Sequence, residues 1–152
     1  AKPSPLKLEY FPLSPLIQEI VELSSAEMDK RGIRYSFSNE AEDDRVLGER
    51  SQIRQVLLNL GLNAMDAMPQ GGTLSVRLYA EDRQIRIELK DTGGGIPPNL
   101  LPTIHMPFIS TKKNGLGLGL SKAYAIIEEH GGSISCSSTV GEGTVFTVCL
   151  NR

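Results

Sequence analysis

Two asparagines four residues apart open a series of strings whose residue types can do chemistry. They stand in Asn59-Leu-Gly-Leu-Asn63-Ala, and three glycine-rich strings follow in order: Asp91-Thr-Gly93-Gly-Gly95-Ile96, Gly115-Leu116-Gly117-Leu118-Gly119-Leu120 and Gly141-Glu-Gly143-Thr144. Asparagine is a poor helix-interior residue, up to ~0.7 kcal/mol worse than alanine, so a pair at i and i+4 points to amides required for contacts. Amide oxygens suit a hard cation. Mg²⁺ prefers oxygen ligands and keeps waters and phosphate oxygens, so one or two amides complete its shell. Asp91 supplies a carboxylate that can accept from an exocyclic amine, ahead of glycines that let a flat ring approach the backbone; that is the chemistry of an adenine reader. The turn 115–120 runs into Ser121-Lys-Ala-Tyr124 as a helix, and a glycine-rich turn at a helix N-terminus offers N–H donors and a positive dipole end to a triphosphate. Lys112 and Lys113 lie just upstream, placed to reach phosphate oxygens, and the Thr144 hydroxyl is a candidate for water-mediated contacts around the base.

Each string alone has an ordinary explanation: a helix flanked by amides, an Asp-Thr-Gly turn, solubilising lysines, a hairpin turn. A lone GxG occurs in many turns. Their joint order, each at the boundary of an expected element, is what points to one nucleotide pocket built from four segments.

The elements that must position them follow from periodicity. Residues 6–10 alternate as a short strand, and residues 12–15 make a turn with Ser14 as helix cap. Leu16, Ile17, Ile20, Val21 and Leu23 recur at helical spacing, in a helix that ends at Lys30-Arg31-Gly32. A strand over 33–37 precedes the acidic loop 40–44, expected to be solvated. Val46-Leu47 makes a brief strand and a helix runs from Glu49 to about Met68. On that helix Gln52, Gln55, Asn59, Asn63 and Asp66 fall on one stripe, beside an arc of Ile53, Val56, Leu57, Leu60 and Ala64. Residues 73–79 and 85–89 form a hairpin, 118–129 a third helix, and 133–137 with 144–150 a final hairpin. Between Asp91 and Leu118 no element can be placed, the mark of a functional lid. The layout is a two-layer α/β sandwich: three helices on a mostly antiparallel sheet of about five strands.

Composition narrows the functional classes. A chain of 152 residues suits one domain. A net charge of -2, with scattered basic residues, argues against nucleic acid. No apolar run approaches the roughly 20 residues of a membrane span, so the domain is expected to be soluble, without membrane contact, and cytoplasmic. Cys136 and Cys149 have neither metal-ligand spacing nor a disulfide-dense context and read as reduced core thiols. His105 and His130, the only histidines, read as surface or capping residues. No catalytic triad or zinc cluster can be assembled from these groups. The proline-rich residues 1–5 read as a linker, leaving 6–152 as the folded unit.

In these motifs the chain resembles the ATP-binding catalytic domain of bacterial sensor histidine kinases, within the superfamily sharing the Bergerat nucleotide fold. Gln55 to Ala64 is similar to the N box, Asp91 to Gly95 to the G1 box, Pro107 to Lys112 to the F box, Gly115 to Leu120 to the G2 box, and Gly141 to Thr144 to the last glycine motif. Met68-Pro-Gln-Gly-Gly72 and the Ser-Thr-Lys form of the F box look closest to the nitrogen-regulatory subgroup. The resemblance implies a site in which Asn63 holds Mg²⁺ with Asn59 beside it, and Asp91, with Gly93, Gly95 and Ile96, recognises the base of ATP. Lys112 and the backbone of the G2 box hold phosphates, and Phe108 braces the lid. It also implies partners: a dimerisation and histidine phosphotransfer domain of the same protein preceding the linker, and a response regulator. The isolated domain is expected to be monomeric.

Two positions depart from the family pattern. Asp66-Ala67 replaces a basic or aromatic pair, which puts a phosphate contact there in doubt, and Met106 replaces an acidic residue before Pro-Phe. Related ATPases and anti-sigma serine kinases carry Glu where Asn59 stands. An amide takes no proton near neutral pH, so water activation is disfavoured and an external nucleophile is implied. The alternatives are an anti-sigma-factor serine kinase or a nucleotide-dependent interaction module without transfer activity.

Overall fold

The computed structural model describes residues 5–106 and 117–152. The chain order is β1 (Glu9–Pro12), α1 (Leu13–Arg31), β2 (Ile33–Asn39), β3 (Arg45–Gly48), α2 (Arg50–Asp66), β4 (Gly72–Glu81), β5 (Gln84–Asp91), a 3₁₀ turn (Leu101–Thr103), α3 (Gly117–Glu129), β6 (Ser133–Thr139) and β7 (Gly143–Asn151). Five strands form one sheet in the order β2-β4-β5-β7-β6, and β1 pairs with β3 in a separate two-stranded ribbon. Only β2 and β4 run parallel within the five-stranded sheet. The expected two-layer sandwich of three helices on a mixed, mostly antiparallel sheet is therefore the observed fold.

Period-two alternation decides which sheet face is covered. Leu74, Val76 and Leu78 of β4, Ile85, Ile87 and Leu89 of β5, and Phe146, Val148 and Leu150 of β7 are buried, packing with Leu16, Ile17 and Ile20 of α1, Ile53, Val56, Leu57 and Leu60 of α2, and Ala123 and Ile127 of α3. The opposite face meets solvent. There Arg77 pairs with Glu40 at 2.7 Å and its guanidinium lies 4.1 Å from the Tyr79 ring centre. Among the described residues no helix is long and apolar enough to cross a membrane.

Two local expectations are corrected. α1 starts at Leu13, so Ser14 lies in its first turn and does not cap it. The cap comes from the acidic loop: the Leu13 N–H donates to the Asp44 carbonyl at 3.2 Å and the Ser14 N–H to Asp44 Oδ2 at 2.7 Å. A carboxylate at a helix N-terminus satisfies orphan donors and meets the positive dipole end. Asp44 is thus structural and not merely solvated. At the other end Gly32, at φ 72°, closes α1 in the left-handed conformation that glycine adopts without strain.

His130 has a capping role across two helices. Its Nε2 accepts from the Glu49 N–H at 3.1 Å while Nδ1 lies 2.8 Å from the Ile126 carbonyl, so the proton resides on Nδ1. One ring thereby ties the end of α3 to the start of α2. His105 is exposed, its ring 5.7 Å from that of Tyr124.

Candidate functional site

In β5 the inward row Ile85, Ile87, Leu89 ends at Asp91, a carboxylate in the place of a fourth apolar side chain. Each apolar neighbour contributes about 1.5–3 kcal/mol on burial, enough to anchor the strand, whereas a buried charge is costly unless hydrogen-bonded. Asp91 is 2% exposed, and it and Thr144, paired opposite it on β7, are the buried polar residues among those described. Asp91 Oδ1 accepts from the Gly93 N–H at 2.9 Å. The negative charge reaches a neighbour too: the Cys136 thiol is pushed up to about 12, chiefly by burial and secondarily by Asp91. Cys136 and Cys149 are free thiols.

Three glycines around Asp91 make room for protein backbone. A Cβ on Gly93 would lie 2.4 Å from the Ala67 carbonyl oxygen, one on Gly95 2.4 Å from that of Thr139, and one on Gly143 2.0 Å from that of Asp91. At these positions protein backbone fills the space that a Cβ would take. The loop after β5 is thereby wedged between the end of α2 and the β6–β7 turn, with the Gly94 N–H on the Ala67 carbonyl (3.3 Å) and the Gly141 N–H on the Gly94 carbonyl (2.9 Å).

Thr144 is also turned inward. Its hydroxyl lies 2.8 Å from Ser138 Oγ, which accepts from the Ile96 N–H at 2.7 Å. Ser138 thus fixes Ile96, and Thr144 supports Ser138. Ser138 escaped the sequence reading because its relation to Thr144 exists only in the β6–β7 register, where the two face each other. Thr92, likewise missed, accepts from the Thr73 N–H at 3.0 Å and pins the end of β5 to β4.

The α2 stripe lies as the periodicity indicated: Gln52, Gln55, Asn59, Asn63 and Asp66 are all half-buried, between the core arc and solvent. Gln55 Nε2 donates to Asn59 Oδ1 at 2.7 Å, and Asn59 Nδ2 donates to the Gly119 carbonyl at 3.0 Å. Asn59 therefore joins α2 to the first turn of α3. Asp66 forms an ion pair with Arg31 of α1 at 2.8 Å, and Arg31 also pairs with Glu27. The hydrogen bond to Asp66, then that to Glu27, raises the Arg31 guanidinium above its ordinary value. One Asp66 oxygen is thereby committed within the protein. Leu120 is buried in the core, so contact from it to a ligand falls to its backbone. Phe108, Lys112, Gly115 and Leu116 lie outside the described residues.

The donor chemistry fits a magnesium ion brought in by a nucleotide. Among the described residues there is no group of three or more His, Cys, Asp or Glu that could hold a metal. The amides of α2 offer one or two oxygens, leaving the remaining ligands to phosphate and water, which Mg²⁺ tolerates.

The chain matches the family described as histidine kinase-, DNA gyrase B-, and HSP90-like ATPase over residues 48–152. Sporulation kinase A of Bacillus subtilis (strain 168) is 36% identical over 95% of this chain, and the sensor histidine kinase ZraS of Escherichia coli (strain K12) 36% over 98%. The chain spans only 24% and 32% of those two relatives. Among solved structures, the catalytic domain of histidine kinase ThkA in a nucleotide-free form superposes with a TM-score of 0.88 at 34% identity, covering 96% of each chain. ThkA in complex with response regulator protein TrrA superposes at 0.85 with 32% identity, over 97% of this chain and 42% of that one. The chain belongs to the family: it is an ATP-binding domain with the Bergerat fold, of the kind that histidine kinases carry as their catalytic domain.

Proposed function

We propose that residues 6–152 bind Mg·ATP and present its γ-phosphate to a histidine on a separate dimerisation domain, whose phosphoryl group then passes to a response regulator. The observation that carries the nucleotide part is the buried Asp91 carboxylate at the end of an apolar row, walled by backbone. Its oxygen faces the amine of adenine, as a charged acceptor that water does not compete for. Asn63 and Asn59 are the magnesium ligands, and Lys112 with the backbone of 115–120 receives the phosphates. The bound cation supplies neutralisation of phosphate charge; the protein supplies orientation and exclusion of water. No carboxylate stands at position 59 to activate water, so transfer goes to an imidazole brought by the partner domain.

The similarity to histidine kinases, one of them solved with a response regulator, supports this reading of the partners. The isolated domain is monomeric in this scheme. The test mixes the chain with a helical hairpin bearing the acceptor histidine and labelled ATP. Acid-labile, alkali-stable phosphohistidine is expected. Confirmed binding with no phosphohistidine, or with phosphoserine instead, rejects the transfer assignment.

A further inference from the structure

The order of donors along Gln55, Asn59 and Gly119 is forced by chemistry. The Gly119 carbonyl can only accept, so the Asn59 atom 3.0 Å from it is the amide nitrogen. Asn59 Oδ1 then points the other way and must accept, which it does from the Gln55 nitrogen at 2.7 Å. Three groups on two helices thus make a one-way chain of N–H donors, Gln55 to Asn59 to the backbone of α3. A carbonyl oxygen has two lone pairs, so Oδ1 retains one after accepting from Gln55.

We propose, on the basis of the nucleotide-binding reading above, that Gln55 is a positioning residue for the Mg·ATP site. It fixes the Asn59 amide with its oxygen available to the cation or a water on it, and with its nitrogen fastened to the first turn of α3. Without this partner the Asn59 amide is held at its nitrogen alone, by the Gly119 carbonyl, and its oxygen loses the donor that orients it. Glutamate at 55 reverses the preference: a carboxylate accepts only, draws the Asn59 NH₂ toward itself, and sets Oδ1 against the Gly119 carbonyl. The chain therefore links the cation side of the site to the segment that opens α3, and Gln55 takes part without touching the nucleotide.

The test is titration calorimetry of the full chain with ATP, in magnesium and separately in EDTA, for the wild type, Gln55→Leu and Gln55→Glu. Gln55→Leu is expected to weaken Mg·ATP binding by about three- to tenfold, the range of one hydrogen bond. Gln55→Glu is expected to weaken it further, and metal-free binding should change by less than about twofold in either. The Asn59 side-chain NH₂ signals in an ¹⁵N spectrum should move in both variants, while thermal unfolding shows that each remains folded. Unchanged Mg·ATP affinity in Gln55→Leu overturns the proposal. So does an equal loss with and without metal, which would make Gln55 a structural residue only. A wild-type chain that binds no Mg·ATP overturns the nucleotide reading itself, and the proposal with it.

Discussion

Glycine has opposite meanings on the two sides of this site. Around Asp91, Gly93, Gly95 and Gly143 each leave room for a backbone carbonyl within 2.4 Å of where a Cβ would stand. On α2, between the two asparagines, a Cβ on Gly61 would meet nothing within 4 Å, and one on Gly119 of α3 would come no nearer than 3.8 Å to Asn59. The Asp91 corner is shaped by main chain. The helical edge is shaped by side chains, Gln55, Asn59, Asp66 and Arg31, whose geometry depends on hydrogen bonds that substitution can weaken one at a time. A pocket that combines the two holds one part of a ligand in a fixed wall and lets another part be tuned.

The largest effect should come from Gly143→Ala. Gly143 sits at φ 135°, and its new Cβ would lie 2.0 Å from the Asp91 carbonyl oxygen. Backbone strain of this kind costs about 1–3 kcal/mol before the overlap is relieved, so a loss of about 3 kcal/mol or more in urea unfolding is expected. A loss under about 1 kcal/mol would show that the β5–β7 end yields, and the contrast with α2 would fail. Asp91→Asn probes the same corner chemically. Asparagine can keep the bond from the Gly93 N–H, so stability should fall by no more than about 1 kcal/mol. The second atom can become a donor facing the amine of adenine. ATP affinity should then fall about 10- to 100-fold by calorimetry, the range of a hydrogen bond to a charged group. Unchanged affinity would leave the corner as architecture alone.

These glycines also mark the limit of what the sequence discloses. Strand alternation, the α2 stripe and the order of the glycine strings disclosed the layers and brought Asn59, Asn63, Asp91 and Thr144 into one expectation, because periodicity and turn chemistry are local. Ser138, Thr92 and the Asp44 cap were not legible, since each acts on a residue brought near only by strand register or loop closure. The glycines of the 91–95 string were recognised, but not the backbone that Gly93 and Gly95 abut: a sequence shows that a Cβ is absent without showing what fills its place.

The Asp91 corner should also be separable in alkali from the buried tyrosines. Burial raises the Tyr35 and Tyr124 phenols to about 12, and burial with the Asp91 charge raises the Cys136 thiol to about 12. A group whose folded value is raised stabilises the fold fully below its unfolded value and loses that contribution as pH climbs toward the folded one. For Cys136 the decline starts near its ordinary 9.0, for the tyrosines near 10.0. The urea midpoint should therefore hold from pH 7 to 8.5 and fall from pH 9 to 11. Cys136→Ser should remove the earliest part of that fall, which belongs to the Asp91 side. An unaltered profile in this variant would assign the decline to the tyrosines.

The smallest expected effect is a gain. Gly61 borders a cavity of about 50 Å³ between α1, α2 and the sheet, lined by Ile17, Val21, Tyr35, Leu57 and Met65 among others. Glycine inside a helix is about 0.8–1.0 kcal/mol worse than alanine, and a compatible Gly→Ala change also narrows the unfolded ensemble. With nothing within 4 Å of the new methyl group, Gly61→Ala should stabilise the chain by about 0.5–1 kcal/mol in urea unfolding. Its Mg·ATP affinity should stay within about twofold of the wild type, because Asn59 and Asn63 keep their face of the helix. The same substitution, glycine to alanine, would then destabilise the Asp91 corner and stabilise α2. If Gly61→Ala stabilises but weakens Mg·ATP, the slack in α2 serves binding, and the helical edge must move when the nucleotide arrives.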